Sequence, residues 1–298
     1  MNILLTGANG YIGKRLLPLL SEQGHHIYCC VRDKSRFYPS VSHEENITVV
    51  EMDLCDRESL NAIPVEIDAA YYLVHSMSSS TDYRSVEHQC AENFRKRLSE
   101  TRVKHVVYLS GMVNEDVLSE HLASRKNVED ELSKGSYHFT SFRAGIIVGS
   151  GSASFEIIRD LVEKLPVMIT PKWLRTKCQP IGISDVLSIL VKGLNNRKVC
   201  HQNFDIGSPD ILTYKEMLLQ FAEVRGLKRK IWTVPVMTPR LSSYWLYFVT
   251  STSYKLATSL VDSMRIEVVC RDNRVNELLD VQPIPYLSLI HISEPTRL

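Results

Sequence analysis

The sequence predicts an α/β chain built on a doubly wound parallel sheet, followed by a smaller mixed lobe. Three observations carry that expectation. Short apolar runs alternate with long helical patterns through the first half. Several of those runs, such as Val106-Val107-Tyr108-Leu109, are apolar at every position, as strands are when helices cover both faces. The first run also leads directly into Gly7-Ala8-Asn9-Gly10-Tyr11-Ile12-Gly13, a glycine-rich turn that opens a helix.

Taken in order, strands are expected at Asn2–Leu5, His26–Val31, Ile47–Met52, Ala69–Val74 and His105–Leu109, with a sixth beginning at Phe139–Phe142. Helical apolar spacing marks Tyr11–Gln23, Asp82–Glu100 and Leu118–Leu132. Gly149-Ser150-Gly151-Ser152 reads as a flexible junction, so the sheet domain is placed at residues 1–149. Residues 150–286 read as the smaller lobe, interleaved with the sheet edge. Its helices are expected at Asp185–Gly193, Tyr214–Val224 and roughly Leu241–Met264. Ser184 reads as the N-cap of the first, and Thr213 with Glu216 as a capping box for the second. Residues 287–298 resemble translated sequencing-adapter DNA and are set apart from the fold; the natural chain is then expected to run on past Tyr286.

Composition excludes several classes. Hydrophobic residues make up 44% and charged residues 23% of the 298, as in ordinary globular chains. A net charge of +1 argues against nucleic acid as a partner. The seven cysteines are odd in number and show no Cys-x-x-Cys, and the ten histidines lack metal-site spacing. A reducing, cytoplasmic setting without a metal is therefore expected. No apolar run is long enough to span a bilayer. Tyr244–Val249 reads as a buried or interface helix, with peripheral membrane contact as the alternative. Oligomeric state is left open.

The glycine spacing has a physical use. Gly7 lets the chain turn tightly out of its strand, Gly10 lets bare backbone approach a pyrophosphate, and Gly13 lets the helix pack on the strand. The helix start then offers unpaired N–H groups and a positive dipole end to phosphate. Thr6, Gly7, Ala8, Asn9, Gly10, Tyr11, Ile12 and Gly13 are thus assigned to a dinucleotide. Arg32, at the end of the second strand, suits a ribose 2′-phosphate, whereas Asp33 could take a 2′-hydroxyl; NADP(H) is favoured over NAD(H). A plain solvated turn is the other reading of that pair.

A Gly-x-x-Gly-x-x-Gly loop preceded by Thr resembles the extended and atypical short-chain dehydrogenase/reductases, the NmrA-like and epimerase-like Rossmann proteins among them. The resemblance implies that Asp53 and Leu54 line the adenine pocket; as residues alone they equally suit a helix cap and a core position. Val74, His75 and Ser76, after the fourth strand, would border the ribose and nicotinamide. As a lone histidine, His75 reads first as a structural one. Arg143, in Arg143-Ala144-Gly145-Ile146-Ile147-Val148-Gly149, would border the nicotinamide amide. Ser110 falls where the family keeps a catalytic hydroxyl. Its Tyr-x-x-x-Lys pair is replaced here by His121 and Arg125, four apart and on one helix face. The expected activity is NADPH-dependent reduction of an apolar carbonyl- or quinone-like small molecule, with Ser110, His121 and Arg125 catalytic. A redox sensor that binds NADP(H) without turnover is the alternative, and a nucleotide-sugar epimerase, which needs the missing tyrosine, ranks last.

Overall fold

A computed structural model of the chain describes residues 1–39, 41–74, 83–113, 120–234 and 264–293, without the side chains at 83, 120, 121 and 293. His75, Ser76, the His121 side chain, Tyr244–Val249 and all but the end of the expected 241–264 helix lie outside the described residues.

The strands are β1 (Asn2–Thr6), β2 (His26–Val31), β3 (Ile47–Glu51), β4 (Ala69–Tyr72), β5 (His105–Gly111), β6 (His138–Ala144), β7 (Ile147–Val148), β8 (Val167–Pro171), β9 (Lys177–Cys178), β10 (Ile181–Gly182), β11 (Gln202–Ile206), β12 (Leu212–Thr213) and β13 (Lys230–Val234). The described helices are α1 (Gly13–Glu22), α2 (Tyr83–Leu98), α3 (Glu120–Leu132), α4 (Ala153–Lys164), α5 (Ile183–Gly193), α6 (Tyr214–Val224), α7 (Arg274–Leu278) and α8 (Tyr286–Ser293).

Seven strands form one parallel sheet in the order β11-β6-β5-β4-β1-β2-β3. The fold is α/β and doubly wound. Side-chain alternation assigns the faces: Ile3 and Leu5 enter one core with Leu16, Leu17 and Leu20 of α1 and Ile189 and Leu190 of α5. Leu4 enters the other with Phe94 of α2 and Val128 and Leu132 of α3. All three β1 side chains are fully buried, which is why an unbroken apolar run stands there. The strand order reverses between β1 and β4, so a crevice opens beyond their carboxyl ends, where the glycine turn lies.

The second lobe has its own core, made by α4, α6, the β8–β13 pair and α8. α5 and β11, although they follow residue 150, return to the main sheet. The lobe is therefore woven through the sheet edge rather than strung after it.

Some expectations need correction. Residues 149–152 are not a loose joint: Ser152 accepts from the Phe155 N–H at 3.2 Å and donates to the Ile147 carbonyl at 2.9 Å, capping α4. That helix was not expected, although Ile157, Ile158, Leu161 and Val162 carry its spacing. α5 starts at Ile183 with Gly182 as its N-cap, so Ser184 sits inside the first turn and caps nothing. Thr213 and Glu216 do form the capping box on α6. Leu289 and Ile290, in the segment set apart from the fold, are buried in the second core. Apolar side chains on a helix fill a groove whatever their origin.

Candidate functional site

Gly7 lies at φ +68°, a conformation in which a Cβ would also come 2.8 Å from the Leu73 carbonyl oxygen. At Gly13 a Cβ would stand 2.2 Å from the Gly7 carbonyl oxygen, so the first turn of α1 sits directly on the loop. Gly10 is exposed, and its N–H bonds to the Gly7 carbonyl at 2.9 Å. α1 begins with no side-chain cap and no acid in its first turn, which leaves its positive end to a ligand. Thr6 and Ala8 are fully buried. The Thr6 hydroxyl donates to the Tyr71 carbonyl at 2.9 Å and accepts from the Leu73 N–H at 3.2 Å. It ties β1 to β4 beneath the loop, while Asn9 is exposed beside Gly10.

Arg15 clamps the loop to the second lobe. Its guanidinium lies 4.0 Å from the centre of the Tyr11 ring and donates to the Ser150 carbonyl at 2.9 Å. Burial pushes the Tyr11 phenol up, against the pull of Arg15. Ile12 lines the same cleft.

That cleft, of about 480 Å³, runs from the glycine loop past Leu73, Ser110 and Arg125 into an apolar chamber walled by Ile157, Leu161, Leu174, Met217 and Leu218. Seven buried side-chain N or O atoms lack a hydrogen-bond partner among the described residues. Four of them, Tyr11 Oη, Ser110 Oγ, Arg125 Nε and Trp173 Nε1, belong to residues that line this cleft. Buried polar groups are rarely left unpaired, and such a concentration makes this cleft the candidate ligand site. Tyr11 Oη lies near Ser152, and Ser110 Oγ near Tyr108, each out of hydrogen-bond geometry. Arg125 Nη1 reaches the Tyr108 hydroxyl at 3.5 Å. Burial raises the Tyr108 phenol, and Arg125 opposes that shift. One turn before Arg125, His121 stands in the backbone of α3.

After β2, Arg32, Lys34 and Arg36 are exposed. Asp33 is engaged: its carboxylate accepts from the Ser35 N–H at 3.0 Å and from the Ser35 hydroxyl at 2.5 Å, which holds it below the usual carboxylate range. Asp53 accepts from the Cys55 N–H at 2.9 Å in a tight turn after β3, and Leu54 is buried in the α2-side core. Val74, half-buried, packs on that same core.

Arg143 is the site residue the structure moves. It lies on the α3-covered face of β6, where Glu129 grips it through Nε at 2.9 Å and again through Nη2. Ser141 donates to the same carboxylate at 2.6 Å. Arg143 does not line the cleft; the adjoining Ala144, Gly145, Ile146 and Ile147 do. A guanidinium satisfied by a buried carboxylate is not free for a nicotinamide amide. Trp173 and the α4 and α6 side chains of the chamber escaped the sequence reading, because only tertiary packing brings them to the sheet.

Residues 7–150 match the family described as NAD(P)H-binding. The match covers just under half of the chain. Beyond that segment the whole chain resembles a nucleoside-diphosphate-sugar epimerase from Staphylococcus aureus, with a TM-score of 0.79, 16% identity and coverage of 97% and 99% of the two chains. It resembles equally the Citrobacter sp. triphenylmethane reductase complexed with NADP(H), at 0.79, 15%, 98% and 100%. WbmH of Bordetella bronchiseptica in complex with NAD+ gives 0.69 and 15% identity, covering 99% of each chain. Such identities speak of fold. Among curated proteins, the chloroplastic divinyl chlorophyllide a 8-vinyl-reductase of Arabidopsis thaliana is 21% identical over 255 residues, 79% of this chain and 60% of the relative. The Cucumis sativus protein of the same name is 22% identical over 223 residues, 70% and 53%. The chain thus spans little more than half the length of these relatives. Among the described residues, no helix is long and apolar enough to cross a membrane.

Proposed function

We propose that the protein is an NADPH-dependent reductase of an apolar carbonyl- or quinone-like molecule. The observation that carries this reading is the single cleft that joins the glycine loop, at the reversal of strand order, to a chamber of aliphatic and aromatic side chains. The four unpaired polar atoms on its lining supply groups for a cofactor and a reacting oxygen. When bound, the dinucleotide supplies hydride. Gly10 and the start of α1 receive the pyrophosphate. Arg125 holds ribose hydroxyls, and Ser110 orients the reacting oxygen and stabilises the charge that develops on it. His121, on the same helix, is the group assigned to return a proton. The chamber selects apolar substrates and excludes water.

NADPH is favoured over NADH because Arg32, Lys34 and Arg36 are exposed where a 2′-phosphate would lie, while Asp33 spends its carboxylate on Ser35. The names of the chloroplastic vinyl-reductases and of the triphenylmethane reductase add support for a reductase. Calorimetric titration with NADPH, NADH, NADP and NAD tests the reading, followed by NADPH consumption in the presence of quinones. NADPH is expected to bind most tightly, and Arg32→Ala to weaken NADPH about tenfold, about 1.4 kcal/mol, with NADH unchanged. Binding of none of the four refutes it.

The second reading, an NmrA-like regulator that binds NADP(H) without turnover, is favoured by one feature: Arg125 stands where the family keeps its lysine, with His121 in place of the tyrosine. Tight binding of NADP(H) with no NADPH consumption for any acceptor would select it. An epimerase activity ranks last for want of that phenol.

A further inference from the structure

Of the seven cysteines, Cys55 is exposed, Cys200 and Cys270 are half-buried, and Cys29, Cys30, Cys90 and Cys178 are buried. The Sγ atoms of Cys55 and Cys90 lie 2.9 Å apart, closer than two sulfurs in ordinary contact. Cys55 sits in the hydrogen-bonded turn after β3. Ser59 Oγ donates to the carbonyls of Asp53 and Asp56 at 2.9 and 2.8 Å, and the Asp53 N–H returns a bond to Ser59 Oγ at 3.0 Å. Cys90 sits on α2, 7% exposed. Asn93, three residues on and therefore on the same helix face, donates to the Leu54 carbonyl at 3.0 Å. One face of α2 thus holds the turn by an amide on one side and a thiol pair on the other. An S–S bond of about 2.0 Å needs the sulfurs to approach by less than 1 Å, within what side-chain rotation supplies.

We propose that Cys55 and Cys90 are a redox-active dithiol that closes to a disulfide on meeting a small-molecule disulfide oxidant. Cys55, the accessible thiol, loses its proton and attacks one sulfur of the oxidant, forming a mixed disulfide and releasing one thiol. Cys90 then loses its proton to solvent and attacks Cys55 Sγ, expelling the second thiol. Two protein thiols are oxidised by two electrons, and one external disulfide is reduced to two thiols. Burial, with Cys55 alongside, pushes the Cys90 thiol up, so the closing step quickens as pH rises.

The position gives the bond a consequence. Cys90 also borders a small cavity shared with Tyr108, Glu87 and Arg125, behind the main cleft. The turn that carries Cys55 holds Asp53 and Leu54, the assigned adenine wall. Closure would fix that wall to α2, a consequence that rests on the reading of the cleft as a dinucleotide site.

The experiment uses the full chain, reduced, freed of reductant and treated with glutathione disulfide. Peptides are mapped by mass spectrometry without reduction. A Cys55–Cys90 linked peptide, reopened by dithiothreitol, is expected. Cys90→Ala should stop at a glutathione adduct on Cys55, and Cys55→Ser, at an exposed position, should form neither. A wild-type chain that yields only the adduct, or that links other cysteines instead, overturns the proposal. Saturating NADPH should slow the linkage about tenfold by covering Cys55. If calorimetry shows NADPH bound yet the rate is unchanged, the dithiol stands and the adenine placement falls.

Discussion

Adding one methyl group at each of four glycines separates what the loop does for the fold from what it does for a ligand. Gly24, at φ +73° with nothing within 4 Å of an added Cβ, calibrates backbone strain alone. The left-handed conformation costs about 1–2 kcal/mol, and the stiffer unfolded chain returns about 0.5, so Gly24→Ala should lose about 1 kcal/mol. Gly13 has an ordinary φ, but its methyl would meet Gly7 oxygen at 2.2 Å and Ala8 Cα at 2.8 Å. Both are backbone, so α1 must move, at about 3 kcal/mol. Gly7 combines φ +68° with a 2.8 Å approach to Leu73 oxygen, and should lose more than either. Gly10 differs, because its methyl meets only Gly7 oxygen, at 3.1 Å. The cost of that contact is offset in part by the stiffer unfolded chain that Ala gives, and stability should change by less than about 1 kcal/mol. On the proposed function, the same methyl crowds the pyrophosphate at the α1 N-terminus, so NADPH affinity should fall at least tenfold, about 1.4 kcal/mol or more. Thermal unfolding gives the first quantity, at about 3 °C per kcal/mol for a chain of this size, and calorimetry the second. A Gly10→Ala protein with wild-type unfolding temperature and unchanged NADPH affinity would refute the assignment of the loop to the pyrophosphate.

Further expectations follow from the same geometry. Ser110→Ala removes a buried hydroxyl that has no partner, so stability should hold or rise slightly, while NADPH-dependent turnover should drop about a hundredfold in steady-state assays. Glu129→Gln leaves the buried Arg143 guanidinium short of a countercharge and should cost about 3 kcal/mol in urea unfolding; NADPH affinity of the folded protein should stay within about twofold, because Arg143 lies off the cleft. His105 is buried, takes the Asn195 N–H on Nδ1 at 2.8 Å and lies 2.9 Å from Thr140 Oγ1 through Nε2, while Thr140 donates to the Val199 carbonyl at 2.9 Å. The ring is therefore neutral, and burial, aided by His138 and His201, lowers its pKa to about 4. The unfolded chain takes up that proton first, so stability falls as pH drops from about 6.5 towards 4, by about 2 kcal/mol at pH 5. His105→Gln should flatten that part of the pH–stability curve; an unchanged slope would count against it.

The sequence alone carried whatever rests on local pattern. The unbroken apolar strands, the glycine spacing after β1, the capping box at Thr213 and Glu216 and the helical period of α6 all follow from neighbours a few residues apart, where sterics and periodicity act directly. The α4 helix was legible too, in Ser152 and the spacing of Ile157, Ile158, Leu161 and Val162, but its glycine-rich lead-in masked it. Other features depended on which face a residue meets. Arg143 follows the family pattern in sequence, yet strand alternation turns it to α3, where Glu129 neutralises it. Asp33 and Arg32 compete on paper for one ribose; the Ser35 hydrogen bonds decide where that carboxylate goes. The apolar chamber joins side chains from residues 109 to 268, and the thiol pair joins positions 35 apart. Such sites are sums over long-range contacts. Pattern sets which residues are buried, whereas the packing of α2 and α3 on the sheet, and of α4 against α6 in the second lobe, sets which of them meet.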